Sequence, residues 1–253
     1  MTVAIRTLPQ RVAGLGVCLA LALAPVGAAA TGPRCTEDAM IVFDGSGSMA
    51  EIGFNLIGTP RITEAREALH TAIPPIAEAR RLGLVIYGPG GDGICSNIDM
   101  RFGPQWKAAP RILGDVDALR PVGGTPLTES VRLAAEALDY RNQPGAIVLV
   151  TDGDETCGGA PCQLAAEFAA DAPGLTVHVI GFKVRGKHFG WDDGLDYKDA
   201  VSVARCLADQ TGGQYLSAET VPELVGALRV TLGCSVYSGR PDADAGEDGI
   251  LRR

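Results

Sequence analysis

Histidine is scarce in this 253-residue chain: His70, His178 and His188 are the only three, and none stands beside a cysteine pair. No Cys-x-x-Cys occurs either, so the ligand spacing of a structural zinc site is missing. There is no run or patch of basic residues. Lys and Arg number 22 against 30 Asp and Glu, which argues against nucleic acid and anionic membrane surfaces as partners. Gly45-Ser46-Gly47 lacks the spacing of a nucleophile elbow, and no histidine is placed to serve as its base, which excludes a serine hydrolase.

What remains is an ordinary globular composition, 46% hydrophobic and 21% charged. The first thirty residues stand apart. Arg6 and Arg11 give a basic start, Val12–Val26 is apolar and uncharged, and small residues surround Ala28 and Ala30. This pattern predicts an export signal over 1–30, cleaved near Ala30–Thr31, with an uncleaved signal anchor as the alternative. Without those residues the chain has 20 basic and 30 acidic side chains, a net charge of −10. The expected location is periplasmic or extracellular.

Outside the signal the chain has six cysteines: Cys35, Cys95, Cys157, Cys162, Cys206 and Cys234. An even number in an exported chain points to disulfides. Cys35 and Cys234 bracket everything that looks folded, and a bridge between them would fasten the ends of one domain. Cys157 and Cys162 flank Gly158-Gly159-Ala160-Pro161, a link flexible enough to close on itself. These two pairings are the preferred ones.

Short apolar runs alternate with amphipathic stretches. Strands are expected at Ala39–Phe43, Leu82–Tyr87, Asn97–Phe102, Ala146–Thr151, Leu175–Gly181 and Gly213–Leu216. "AIVLV" and "LTVHVI" are apolar almost throughout, as strands covered on both faces should be. Helices are expected through Ile62, Ala65, Leu69 and Ile73, opened by Thr59-Pro60, and through Leu127, Val131, Ala134 and Leu138. Further helices fit Arg111–Leu119, Pro161–Ala170, Ala200–Gln210 and Pro222–Leu232. The alternation predicts an α/β fold, a doubly wound, mostly parallel sheet with helices on both faces. The second and third strands are joined only by "GPGGDGICS", too short for a crossover helix, so an antiparallel edge strand is expected there. One domain spans 35–234, and 235–253 read as an acidic, solvated tail.

The strand ends carry the chemistry. In "IVFDGSGSM" the first strand delivers Asp44, Ser46 and Ser48. "GAIVLVTDGDE" ends the fourth strand in Asp152, with Asp154 and Glu155 beyond it, read as a solvated acidic loop. In "RPVGGTPLTES" a Gly-Gly lead-in presents Thr125 before Pro126 starts a helix. First and fourth strands commonly adjoin where strand order reverses, and ligands bind at that point. Three hydroxyls and two carboxylates make a hard oxygen set, suited to Mg²⁺, Mn²⁺ or Ca²⁺ rather than zinc or copper.

The Asp-x-Ser-x-Ser at Asp44, Ser46 and Ser48, the Gly-Gly-Thr-Pro-Leu threonine Thr125 and the Thr-Asp-Gly aspartate Asp152 together resemble a von Willebrand factor type A domain. The resemblance covers about Ala39–Leu232 and is greatest to exported bacterial members, which carry segments similar to "DGDETCGGAPC" and "CLADQTGGQY". It implies a Rossmann-like sheet and a metal-ion-dependent adhesion site, in which those five residues hold Mg²⁺. Ser46, Ser48 and Thr125 would contact the metal through hydroxyls, and the aspartates directly or through water. It also implies a non-enzymatic module that binds a protein ligand presenting Asp or Glu. Two insertions depart from the compact pattern, "AEIGFNLIGTPR" and "VRGKHFGWDDGLDYKD", the first expected to shape or cover the site.

Two alternatives compete with that reading. The first strand also resembles that of haloacid-dehalogenase-type phosphatases, with Asp44 as nucleophile, but Ser46 stands where a second acid is needed. A purely structural envelope domain, its serines only capping a helix, is the other. His178, inside an apolar strand, reads as a core histidine.

Overall fold

The computed structural model describes residues 35–52, 58–89, 94–184 and 197–234. The signal segment, the tail and most of the second insertion lie outside the described residues. Those that are described belong to one compact unit, Gly32–Arg253.

The expected α/β architecture is present. Six strands form one sheet in the order β3-β2-β1-β4-β5-β6, comprising β1 (Asp38–Asp44), β2 (Leu82–Tyr87), β3 (Ile98–Gln105), β4 (Gly145–Thr151), β5 (Leu175–Phe182) and β6 (Tyr215–Ala218). All neighbours are parallel except β2 and β3. The helices are α1 (Arg61–Ala79), α2 (Ala109–Asp117), α3 (Leu127–Ala137), α4 (Pro161–Asp171), α5 (Tyr197–Thr211) and α6 (Val221–Leu232), with a 3-10 turn at Gly47–Ala50.

Burial on both faces explains the apolar strands. Along β1, Ala39, Ile41 and Phe43 enter one core with α1, α2 and α6. Met40 and Val42 enter a second core with α3, α4 and α5. A strand with two buried faces needs no polar alternation. The edge strand β3 differs, carrying Asp99 and Arg101 on a partly solvated ribbon, and such charges discourage pairing with another chain.

Boundaries shift by one to three residues: β3 runs to Gln105 instead of Phe102, and α2 starts at Ala109 instead of Arg111. The last strand begins at Tyr215 rather than Gly213, because Thr211-Gly212-Gly213 closes α5. Gly212 takes φ +73°, and the Gly213 N–H returns to the Ala208 carbonyl at 2.8 Å, a helix-terminating turn that favours glycine. Helix α1 runs on through Pro74 and Pro75, both exposed, while Ile62, Ala65, Leu69 and Ile73 face the core as their spacing predicts.

The disulfides correct one expectation and agree with another. Cys35 bonds Cys234 (Cα–Cα 4.9 Å), but Cys157 bonds Cys95 (5.5 Å) and Cys162 bonds Cys206 (5.2 Å). Cys162 lies in the first turn of α4, which packs along α5 and so brings it to Cys206. Cys157 remains in the loop before α4, over the β2–β3 connection. Beside Cys35–Cys234, the buried Arg80 donates from Nε to the Glu37 carbonyl (3.0 Å) and from Nη1 to the Leu232 carbonyl (3.2 Å). The chain ends are thus joined both covalently and by charge-assisted hydrogen bonds.

Candidate functional site

The sheet reverses its winding between β1 and β4, and the two predicted carboxylates sit at that point. Phe43 pairs with Val150. Asp44 ends β1 and Asp152 follows β4, both with no exposed surface. Asp44 is held from three sides: Oδ1 accepts from the Ser46 N–H (2.8 Å), and Oδ2 accepts from the Thr151 hydroxyl (2.7 Å) and the Asp152 N–H (3.3 Å). Behind it, the Tyr87 hydroxyl donates to Thr151 Oγ1 at 3.1 Å. Complete burial, then the nearby Asp44 charge, push the Tyr87 phenol well above its ordinary value, so it stays a neutral donor.

The serines close the knot. Ser46 Oγ and Ser48 Oγ lie 3.1 Å apart, and Ser48 Oγ donates to Asp152 Oδ1 at 2.6 Å. Four of the five predicted residues therefore form one hydrogen-bonded cluster. Thr125 is buried at its rim, tied to Thr156 by the Thr125 N–H to Thr156 Oγ1 bond (2.8 Å). Among the described residues its hydroxyl makes no hydrogen bond to the other four. Its loop is nevertheless locked to theirs, since Gly47 N–H donates to the Gly123 carbonyl at 3.0 Å.

This packing depends on small residues. A Cβ on Gly45 would lie 2.7 Å from the Tyr87 carbonyl, and one on Gly88, which takes φ +109°, would strike the Gly45 carbonyl. The β1 and β2 ends approach too closely for a side chain between them.

One side chain at the site was not singled out in the sequence, and another was read differently. Arg61, the first residue of α1 and 4% exposed, donates from Nη1 to the Ser48 carbonyl (2.9 Å) and to Glu51 Oε2 (3.2 Å). The same nitrogen lies 3.4 Å from Asp152 Oδ2. Its one sequence signal is its place at a helix N-terminus, where the macrodipole disfavours a cation unless a tertiary anion holds it. Glu155 is the other. It is half-buried rather than a solvated loop acid, accepting at 2.8 Å from the Thr128 N–H, the Thr128 hydroxyl and the Cys157 N–H. It caps α3 from another loop, since Pro126 offers no side-chain cap.

Among the described residues no three His, Cys, Asp or Glu side chains converge as a metal cluster. The site is two carboxylates among hydroxyls, as the motifs implied. His178 is half-buried at the margin of the sheet rather than in a core, its Nδ1 accepting from the Gln214 N–H at 3.1 Å.

Residues 39–155 match the von Willebrand factor type A domain. The VWA-like fold extends past the matched segment. The aerotolerance-related membrane protein from Bacteroides fragilis NCTC 9343 superposes with a TM-score of 0.55 at 16% identity, over 78% of this chain and 98% of that one. The pilus adhesin SpaC from Lactobacillus rhamnosus GG gives 0.56 at 14% identity, over 80% of this chain and 30% of the adhesin. In sequence, the chain is 26% identical over 200 residues to the uncharacterised protein YwmC of Bacillus subtilis (strain 168), covering 75% of this chain and 80% of YwmC. Three disulfides in the VWA-like unit fit an oxidising, non-cytoplasmic compartment. Among the described residues no helix is long and apolar enough to cross a membrane.

Proposed function

We propose that this chain is an exported, metal-dependent protein-binding module, periplasmic or extracellular, whose metal site engages an Asp or Glu carboxylate on a partner. Asp44, Ser46, Ser48, Thr125 and Asp152 would hold the cation, Mg²⁺ first, with Mn²⁺ or Ca²⁺ able to substitute. The supporting observation is the oxygen spacing. Neighbouring ligands around an octahedral Mg²⁺ stand about 2.9 Å apart, and Ser46 Oγ, Ser48 Oγ and Asp152 Oδ1 are already separated by 3.1 and 2.6 Å. Two buried carboxylates side by side also favour a shared cation. When bound, the ion would supply a Lewis-acidic coordination position for an incoming carboxylate.

The protein's own part is to hold this oxygen set ready and to frame it for a partner. Exposed Ile94 and Val122 stand on the two loops that adjoin it. The Gly124 N–H donates to the Ile94 carbonyl (2.9 Å) and the Val122 N–H to the Gly45 carbonyl (3.0 Å). Apolar contacts around a charged centre suit a protein ligand. The fold shared with the pilus adhesin SpaC agrees with such a role.

Isothermal titration of the exported chain with Mg²⁺, Mn²⁺ and Ca²⁺ tests the reading. Binding at one site, abolished by Asp44→Ala, is expected. Absent binding, or binding unchanged by the substitution, would overturn it, as would metal-dependent hydrolysis of a generic phosphate ester that is lost in Asp44→Asn.

A further inference from the structure

Arg61 is a buried cation directed at a carboxylate that the proposed metal site needs. Burying a guanidinium is costly unless it is paired, and the N-terminus of α1 adds an unfavourable dipole. What offsets these costs is visible: the Ser48 carbonyl at 2.9 Å, Glu51 Oε2 at 3.2 Å and Asp152 Oδ2 at 3.4 Å. Glu51 is 66% exposed while the Asp152 side chain is fully buried, so solvent weakens the first pair and leaves the second as the stronger electrostatic partner.

We propose that Arg61 is a specificity-determining residue: it neutralises one of the two buried carboxylates, so that the metal-loaded site carries a net positive charge and selects an anionic ligand. This rests on the reading above. Asp44 and Asp152 contribute two negative charges and Arg61 returns one. A divalent cation then leaves the buried centre at +1, and one partner carboxylate brings it to neutrality. Without Arg61 the loaded centre is already neutral, and a carboxylate would make it negative. The same residue limits metal affinity, because cation and guanidinium share Asp152. Arg61 also positions that carboxylate, keeping Oδ2 on the guanidinium side while Oδ1 faces Ser48.

The test compares the full exported chain with Arg61→Met, Arg61→Gln and Arg61→Lys. Mn²⁺ affinity is measured by titration calorimetry with and without acetate as the carboxylate probe, together with the Mn²⁺-induced rise in Tm. A unit charge removed from a partly buried site next to a divalent ion should tighten Mn²⁺ about ten- to hundredfold. Met and Gln should both show this, with a larger Mn²⁺-induced rise in Tm than the parent. Acetate should tighten Mn²⁺ binding in the parent and in Arg61→Lys but not in the neutral variants. If Met does not fold, Gln carries the comparison. Parent-like or weaker Mn²⁺ affinity in a folded neutral variant would overturn the role of Arg61 while leaving the metal site standing. Failure of every form to bind Mn²⁺ would overturn the metal reading itself and this inference with it.

Discussion

Replacing Cys95 and Cys157 together by serine should destabilise the domain and loosen its site. The bridge closes a sequence separation of 62 residues, for which chain entropy gives about 4 kcal/mol of constraint on the unfolded state. A bridge from Cys157 to Cys162 would give only about 2 kcal/mol by the same relation. Measured losses usually fall somewhat below the entropic figure, so a decrease of about 2–4 kcal/mol is expected. That corresponds to roughly 5–15 °C in Tm for a domain of this size. The effect should also reach Thr125. The bridge fixes the Ile94–Cys95 turn, and the Ile94 carbonyl accepts from the N–H of Gly124, next to Thr125. Urea unfolding of the double variant should show a lower midpoint and a somewhat steeper slope, because the unfolded chain without the crosslink exposes more surface. A non-reducing peptide map of the parent should link the Cys95 and Cys157 peptides. A map linking Cys157 to Cys162, or a double variant within about 0.5 kcal/mol of the parent, outside the usual range for a lost native disulfide, would refute the reasoning.

Glu155→Ala removes the cap of α3 and leaves the Thr128 and Cys157 N–H groups without their carboxylate, at a cost of about 1–3 kcal/mol. Glu155→Gln, which keeps an acceptor, should recover part of it, and equal losses in chemical denaturation would contradict the capping role. His178 makes stability depend on pH. Burial, then the Arg80 charge, lower its folded pKa to about 4 from an ordinary 6.5. Above 6.5 it is neutral in both states and its full contribution is present. As pH falls from 6.5 towards 4 the unfolded chain takes up the proton first, and stability declines by about 1–2 kcal/mol after allowance for partial solvent access. Titration of the imidazole by NMR should give the low value, and His178→Asn should flatten the stability profile over that range. A native pKa near 6.5 would count against it.

The sequence by itself determined the sheet, its order of elements and the grouping of four polar residues at the ends of β1 and β4. Strands buried on both faces must be apolar end to end, so Ala39–Phe43 and Ala146–Thr151 announced themselves, and the short link before Asn97 left only a hairpin. Asp44, Ser46 and Ser48 share one turn, and Asp152 directly follows the strand beside it, so local spacing and one neighbouring strand were enough to group them. Cys35 and Cys234 were legible because they bracket the folded unit. Tertiary structure alone decided the rest. Cys157 looked closest to Cys162 along the chain, but α4 turns Cys162 towards α5 and leaves Cys157 over the β2–β3 loop. Glu155 reads as a solvated acid until the start of α3 is packed against it. Arg61 lies 91 positions from Asp152, and only the packing of α1 on the sheet brings its charge to that carboxylate. Periodicity records which face of an element is buried. It does not record which loops meet above the sheet, and that meeting is where the charge balance of this site is set.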